Sequence, residues 1–198
     1  MWRSFPSSQQ ATRPRSRTGA NAADLVPMAK GLSSGYVPVA AVAVHTRVFD
    51  VINEGGLFAH GFTYSGHPVA CAVASANIDI IAREGLVERV RDDIGPYFHQ
   101  SLREMADAHP LVGEVRGVGL VAALQLMRDK ASRTQFAADE LAAIYCRETL
   151  WDLGLISRAV GQSMVLSPPL VISRSEVDET VDKMKSGLDA AAAAFGGQ

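Results

Sequence analysis

The sequence contains only two cysteines, Cys71 and Cys146, among its 198 residues. This number excludes a disulfide framework and suits a reducing, intracellular setting, so we expect a cytoplasmic protein. No paired Cys-x-x-Cys or His-Glu-x-x-His motif is present, so no metal site is expected. No run reaches the roughly 20 apolar residues that span a bilayer. A net charge of -2 offers no basic surface for nucleic acid.

The remaining composition is that of a folded chain, because 47% hydrophobic residues are enough to bury a core. Residues 1–23 differ from the rest: they contain four arginines and no acid, with many Ser, Gln and Pro residues. This segment is predicted to be a disordered or non-homologous leader. A mitochondrial-type targeting segment and a truncated or frame-shifted start are the alternatives.

Apolar periodicity begins at about Asp24. The Val-rich run from Val37 to Val44 predicts a strand buried on both faces, and Thr46 to Asn53 predicts a short helix. Pro68 suits the first turn of another helix, which Gly85 would end. The predicted buried face of that helix consists of Val69, Val73, Asn77, Ile80 and Ile81.

A second helical pattern runs from Leu86 to Met105, and Gly95-Pro96 is expected to kink or break it. Further along the chain, the patterns predict a hairpin at Leu111 to Met127 and a helix at Phe136 to Leu153. Two short strands are predicted around Gly161, at Leu155 to Arg158 and at Met164 to Ser167. The capping box of Ser173 and Glu176 predicts the start of a last helix. That helix has an apolar stripe of Val177, Val181, Met184 and Leu188, and its tail from Ala190 to Gln198 is expected to fray. The order of elements predicts an α/β part in residues 24–85 and an α+β part in residues 86–198.

Three local sequences contain residues suited to chemistry. Lys30 lies among small residues that let a planar ligand approach, and a desolvated lysine is an amine nucleophile; a solvated loop lysine is the alternative. The sequence His60 to Pro68 places hydroxyls and amides before a helix N-terminus, which favours anions such as phosphate. Its Ser and Thr residues could instead cap that helix. Arg158, between apolar residues, could bind a carboxylate in a pocket or lie on the surface.

These motifs, in this order and at these intervals, resemble the class III pyridoxal-phosphate-dependent aminotransferases, and among them the ω-transaminases. His60 to Pro68 is the most specific match, and Asp24 to Ser33 resembles the segment with the Schiff-base lysine. Also similar are Gly117, Gly119, Arg158 and Ser167 to Leu170. The resemblance extends from Asp24 to Phe195. It implies the C-terminal part of a fold type I large domain in residues 24–85 and an α+β small domain in residues 86–198.

The resemblance also implies roles for individual residues. Lys30 would bind pyridoxal phosphate covalently and move the proton between the substrate α-carbon and C4′ of the cofactor. Thr63 would donate a hydrogen bond to the cofactor phosphate, usually across a dimer interface, and Gly61 and Phe62 would line the same edge.

For the substrates, the resemblance implies small molecules: an amino donor and a keto acid. Arg158 would pair with the carboxylate of an amino acid or keto acid and swing away for an uncharged amine. Tyr64 would lie near the substrate pocket. A homodimer is implied for the intact family, with no nucleic-acid or membrane partner.

The sequence also departs from the family. Its phosphate loop, ring-stacking aromatic residue and pyridinium-pairing aspartate precede the lysine and cannot be assigned here. Ser16 to Gly19 lies too close to Lys30 to be the expected Gly-Phe-Gly-Arg-Thr-Gly-like element. We therefore expect the C-terminal portion of an aminotransferase, with transamination impaired by truncation. Much of the large-domain sheet would also be absent, so Val37 to Val44 would lose neighbours and expose apolar surface. A decarboxylase or aminomutase could use the same lysine. The alternative function is a non-catalytic remnant or dimerisation partner.

Overall fold

The computed structural model describes residues 23–55, 58–137 and 139–196. The expected leader, residues 1–23, lies outside the described residues except for Ala23. The chain divides into two compact units between Val87 and Glu88, and each is described by itself. None of the described helices is long and apolar enough to cross a membrane.

The first unit contains a two-stranded sheet followed by two helices. Strands β1 (Leu25–Met28) and β2 (Ala41–Val44) pair antiparallel. Helix α1 (Thr46–Glu54) begins after His45, whose Nδ1 accepts a hydrogen bond from the backbone N–H of Arg47 at 3.2 Å. This contact satisfies one of the N–H groups that the first helical turn leaves free. The predicted short helix is therefore confirmed.

The strand predicted at Val37 to Val44 is only partly formed. Strand β2 comprises its last four residues, and all four are exposed. The burial on both faces that the run by itself predicts is not formed, because β1 is its only partner among the described residues. The exposure of β2 confirms the expectation that this run loses neighbours and exposes apolar surface. A Val-rich run of this kind needs elements on both faces to be covered.

Helix α2 (Pro68–Arg83) confirms the helix predicted from Pro68, which lies in the first turn. Gly85, with φ +59°, follows its end as expected. The buried or half-buried residues of the helix are Ala70, Val73, Ala74, Asn77, Ile78 and Ile81. Val69 and Ile80 are exposed, so their predicted burial is wrong.

The second unit is built on a four-stranded antiparallel sheet in the order β3-β4-β6-β5. The strands are β3 (Val112–Val118), β4 (Val121–Leu126), β5 (Arg158–Val160) and β6 (Ser163–Leu166). The helices are α4 (Gly95–Ala108), α5 (Ala142–Asp152) and α6 (Arg174–Phe195), and a short helix α3 (Leu86–Arg89) spans the division between the units. The predicted hairpin is confirmed as β3 and β4.

The core of the second unit lies between one face of this sheet and the helices. Alternate residues of β4 point into it, as period-2 patterning requires. Fully buried side chains include Ala122, Leu124 and Leu126 from β4, and Phe98, Leu150, Met184 and Leu188 from the helices. The predicted stripe of α6 is confirmed at Val177, Met184 and Leu188, while Val181 is half-buried.

The capping box of α6 is confirmed by two reciprocal hydrogen bonds. The backbone N–H of Glu176 donates to Ser173 Oγ at 3.2 Å, and the backbone N–H of Ser173 donates to Glu176 Oε2 at 2.7 Å. These bonds satisfy two donors at the helix start. The predicted fraying of Ala190 to Gln198 is wrong over the described residues. Helix α6 continues to Phe195, with Ala191 fully buried.

The helix predicted from Leu86 to Met105 is not broken at Gly95-Pro96. A wide π turn, Val90–Ile94, joins α3 to α4 instead. A Cβ on Gly95 would lie 2.2 Å from the backbone oxygen of Val90, so this position needs glycine. Pro96 has no backbone N–H, and it is tolerated in the first turn of α4 because that turn does not need the donor.

The helix predicted at Phe136 to Leu153 begins later, at Ala142. The side chain of Gln162 holds the preceding segment in a non-helical form, because its Nε2 donates to the backbone oxygens of Ala137 and Glu140. The two predicted strands are displaced to β5 and β6. The turn between them is confirmed at Gly161, with φ +54°.

Helices α5 and α6 pack closely at Gly187. A Cβ at this position would lie 2.7 Å from Cδ2 of Leu150. We predict that Gly187→Ala lowers the free energy of unfolding by about 1–3 kcal/mol, the usual cost of overpacking. Urea denaturation followed by circular dichroism measures this change.

The matched control is Ser186→Ala, at the neighbouring exposed position of the same helix. Its free energy of unfolding should change by less than about 0.5 kcal/mol. An unchanged or more stable Gly187→Ala variant would contradict the close packing, because alanine is otherwise the better helix former.

His99 is a buried histidine on α4, with 6% of its surface exposed. Neither ring nitrogen forms a well-directed hydrogen bond to the described residues. Its Cε1 would lie 2.9 Å from a Cβ on Gly117, so the end of the hairpin closes over the ring. Burial lowers the pKa of His99, the positive charge of Arg103 lowers it further, and the backbone of Gly119 opposes both in part.

We predict that stability falls as the pH falls through about 6.5, the pKa of an unfolded histidine. The folded state disfavours the proton that the unfolded state takes up, so the stability present above this pH is lost below it. In urea denaturation at a series of pH values, His99→Gln should reduce this dependence.

His60→Gln, at an exposed histidine, is the control and should leave the pH dependence unchanged. The dependence should not vanish in His99→Gln, because burial also lowers the pKa of His109. An identical slope in His99→Gln and the unsubstituted chain would show that His99 does not contribute.

Candidate active site

Lys30 lies in a strained turn between β1 and β2. It opens a single 3-10 turn, Lys30–Leu32, with φ +54°, and Ser34 has φ +50°. Both residues therefore occupy the left-handed region that side chains other than glycine disfavour. Such strain persists only where surrounding contacts impose it, and it is concentrated at functional sites. Among the described residues other than glycine, only Arg133 shares this conformation.

Two sets of contacts hold this turn. Ser33 is buried, and its Oγ donates to the backbone oxygen of Val37 at 2.7 Å. From α2, the Nδ2 of Asn77 donates to the backbone oxygens of Gly31 at 2.9 Å and Leu32 at 3.2 Å. The sequence placed Asn77 on the apolar face of this helix and gave it no role. The sequence signal for such a role was a polar amide among the apolar residues of that face.

The amine of Lys30 differs from the other three lysine amines. Lys30 is exposed, as the solvated-loop alternative predicts, so the prediction of a desolvated lysine is wrong over the described residues. It makes no hydrogen bond or ion pair with them. Lys130 donates to the backbone oxygen of Ala106 at 2.8 Å. Lys183 and Lys185 pair with acidic residues one helical turn away. Lys30 therefore has the amine that is free, within the described part of the chain, to bond to a ligand.

The segment from His60 to His67 forms an exposed turn before α2. The backbone N–H of Phe62 donates to Ser65 Oγ at 2.9 Å, and the backbone N–H of Ser65 donates to the oxygen of Phe62 at 2.9 Å. Neither Ser65 nor Thr63 caps α2, whose N-cap is His67 without a side-chain bond. The alternative in which this segment merely caps the helix is therefore not supported.

The side chains of this turn have few contacts among the described residues. Phe62 and Tyr64 are 76% and 79% exposed. Thr63 is exposed and its hydroxyl makes no hydrogen bond to the described residues. A Cβ on Gly61 would meet nothing within 4 Å. The turn thus presents an aromatic edge and a free hydroxyl, the two kinds of group that a planar, anionic ligand needs.

Arg158 is the first residue of β5, in the second unit. Its neighbour Ala159 packs against the core, so Arg158 lies on the opposite, outer face of the sheet. The strand register places it in one row with Val165, Ala123 and Arg116. Arg158 is exposed and, unlike many arginines of this chain, forms no ion pair with the described residues.

The predicted site residues are divided between the two units. Lys30, Gly61, Phe62, Thr63 and Tyr64 belong to the first unit, and Arg158 belongs to the second. No hydrogen bond among the described residues joins Lys30 to the His60–His67 turn. Asn77, which contacts the lysine turn, lies about 14 Å along α2 from Pro68, where that segment enters the helix.

Known proteins are similar to this chain over most of its length. The sequence model described as aminotransferase class-III matches residues 16–188, a range that begins before the expected boundary at residue 24. Putrescine–pyruvate aminotransferase of Pseudomonas aeruginosa is 51% identical over 174 residues, which are 88% of this chain and 38% of that protein. A mitochondrial gamma aminobutyrate transaminase 1 of Solanum lycopersicum is 41% identical over 162 residues, 80% of this chain and 31% of that protein.

Solved structures show the same fold. A transaminase from directed evolution by ancestral reconstruction has a TM-score of 0.82 and 45% identity, covering 86% of this chain and 38% of that chain. A PMP-bound aminotransferase from Vibrio fluvialis has a TM-score of 0.80 and 39% identity, covering 87% of this chain and 38% of that chain.

The chain spans about 38% of the length of the first curated relative. The resemblance drawn from the sequence is confirmed, and so is the fold class: part of a fold type I transferase of the pyridoxal-phosphate-dependent kind. The match over residues 16–188 and the identity to known transaminases show that this chain belongs to the class III aminotransferase family.

Proposed function

We propose that this chain provides the lysine-bearing part of a pyridoxal-phosphate-dependent aminotransferase. The reaction moves an amino group between an amine or amino acid and a keto acid. The observation that supports it most directly is the exposed amine of Lys30, without a partner among the described residues, on a turn with left-handed backbone. The named activities of the relatives, which include putrescine–pyruvate and gamma aminobutyrate transaminases, support the same reaction class.

The residues present fit this cofactor. Lys30 provides an amine, and Gly31 beside it would place a Cβ in open space, so a planar ring has room to approach. Thr63 provides a hydroxyl donor for a phosphate, and Gly61 and Phe62 provide an open, aromatic edge beside it. One of the solved relatives is described as PMP-bound. When bound, the cofactor supplies the electron sink that stabilises negative charge at the substrate α-carbon.

In this proposal Lys30 has two functions. Its amine first holds the cofactor covalently, which requires the unprotonated form as nucleophile. The same amine, once free, would move a proton between the substrate α-carbon and C4′ of the cofactor.

Arg158 is proposed to recognise the substrate carboxylate. A guanidinium binds a carboxylate through two parallel hydrogen bonds, and Arg158 has no competing acid among the described residues. The short edge strand β5 leaves its side chain free to move aside for an uncharged amine. Tyr64 is proposed to border the substrate pocket.

The proposed partners include a second copy of the chain, with Thr63 contacting the phosphate across the interface. The first unit exposes several large apolar side chains, among them Phe49, Phe58, Phe62 and Tyr64. This exposure also supports the second candidate function, a non-catalytic remnant that binds a related subunit. The cytoplasmic location remains a prediction, and some plant relatives are named as mitochondrial or chloroplastic.

The cofactor site can be tested by chemical trapping. We expect pyridoxal phosphate followed by borohydride to label the chain stoichiometrically at Lys30, located by peptide mapping. Lys30→Ala should abolish this label, whereas Lys185→Ala, at an exposed lysine paired with Asp189, should retain it. Label distributed over Lys130, Lys183 and Lys185, or no label, would contradict the proposal and favour the non-catalytic function.

The role of Arg158 predicts a difference between substrates. In the cofactor-loaded chain, Arg158→Ala should raise the KM for a keto acid by about tenfold to a hundredfold, the loss expected for charge-assisted hydrogen bonds. The KM for a diamine donor should change by less than about threefold, because a diamine has no carboxylate for the arginine to bind.

Arg147→Ala is the matched control, because Arg147 is an exposed arginine paired with its neighbour Glu148. It should alter neither constant. Equal effects of Arg158→Ala on the keto acid and the diamine would contradict a carboxylate-specific role.

A further inference from the structure

We propose that Asn77 is a positioning residue that fixes the backbone from which Lys30 projects. Asn77 lies 47 positions further along the chain, on α2, and its hydrogen bonds go to Gly31, Leu32 and Ser34 rather than to the lysine side chain. It acts through the turn that contains the lysine. The consequence for cofactor binding rests on the proposed function, but the effect on the turn itself does not.

The contacts of Asn77 use its whole amide group. Its Nδ2 donates to the backbone oxygens of Gly31 and Leu32, and its Oδ1 accepts a hydrogen bond from Ser34 Oγ at 2.7 Å. The side chain of asparagine has two N–H donors and a carbonyl acceptor, so it matches both sets of partners. Aspartate would place an oxygen against two carbonyl oxygens, and an apolar residue would leave all three groups without this partner.

The turn needs such a partner because of its backbone conformation. Lys30 and Ser34 both have positive φ. Two hydrogen bonds of Asn77 go to Gly31 and Leu32, which lie between these residues, and the third joins Asn77 to Ser34 itself. A strained backbone conformation persists where the surrounding contacts outweigh the local conformational preference of the residue. Few apolar contacts can do so here, because Ser33 is the only buried residue of this turn. Directional hydrogen bonds from α2 therefore provide much of the constraint.

A fixed backbone matters more for Lys30 than for most lysines. Rotation about four side-chain bonds already moves the amine relative to Cα, so a mobile turn would spread the amine over a still larger volume. Positioning a reactive group to within a fraction of an ångström strongly affects its rate. The amide of Asn77 thus serves as the support of the lysine, from a separate and well-formed helix.

Hydrogen–deuterium exchange on the cofactor-free chain tests this directly. Backbone N–H groups of Leu32, Ser33 and Tyr36 donate within the turn, at 3.2, 3.2 and 3.1 Å. In Asn77→Ala these amides should exchange about tenfold faster or more, the effect expected from losing two to three hydrogen bonds. Asn53→Ala, at an exposed asparagine of α1, is the matched control and should leave them unchanged. Unchanged exchange in Asn77→Ala would overturn the proposal.

A second measurement separates positioning from general stability. The rate at which pyridoxal phosphate and borohydride label Lys30 should fall about tenfold in Asn77→Ala and Asn77→Asp, with α2 still protected from exchange. Ser34→Ala removes one of the three bonds and should have a smaller effect on both rates. Faster exchange without slower labelling would overturn the positioning role.

Two further outcomes are decisive. If Asn77→Ala unfolds α2, Ser34→Ala decides: faster exchange confined to residues 31–36 supports the proposal, and unchanged exchange overturns it. If the unsubstituted chain takes no label at Lys30, the proposed function fails, while the exchange data still determine whether Asn77 holds the turn.

Discussion

Burial of one sheet face beneath α4, α5 and α6 is the interaction on which the stability of this chain depends. Nearly all fully buried side chains lie in this core, including Phe98, Leu124, Leu150 and Met184. At roughly 1.5–3 kcal/mol for each large apolar side chain removed from water, this core provides the main favourable contribution to folding. The second unit thus meets the basic requirement of a domain, a sheet with one covered face.

The first unit is organised differently. Among its described residues, only Ser33, Ala74 and Leu86 are buried. Its structure therefore relies on directional contacts: the bidentate pair of Arg47 with Asp24, the N-cap of α1 and the amide of Asn77. Exposed hydrogen bonds and ion pairs contribute little individually. We expect the first unit, which contains Lys30, to open more readily than the second unit.

Local sequence signals predicted what local interactions determine. Features that depend on a few neighbouring residues could be predicted from the sequence. They include the capping box at Ser173, the turn at Gly161 and the start of α2 at Pro68. The family and its chemistry were recognisable from motifs at Lys30, His60 to Pro68 and Arg158, although the roles of individual site residues remain predictions. Failures came where distant residues decide. The run at Val37 to Val44 indicates burial only if other elements cover it, and periodicity could not reveal that Asn77 reaches a turn over 40 residues earlier.

Lys30 and Arg158 differ in how firmly the surrounding structure holds them, and this difference suits the roles proposed for them. An amine that must reach two reacting atoms in succession benefits from a backbone with little freedom, which the turn at Gly31 to Ser34 provides through Asn77 and Ser33. An arginine that must accept a carboxylate and also make room for an uncharged amine benefits from the reverse. Arg158 begins a three-residue edge strand and has no ion-pair partner among the described residues. In the proposed function, fixing its guanidinium would improve binding of one substrate class at the expense of the other, so freedom of this side chain would suit both classes.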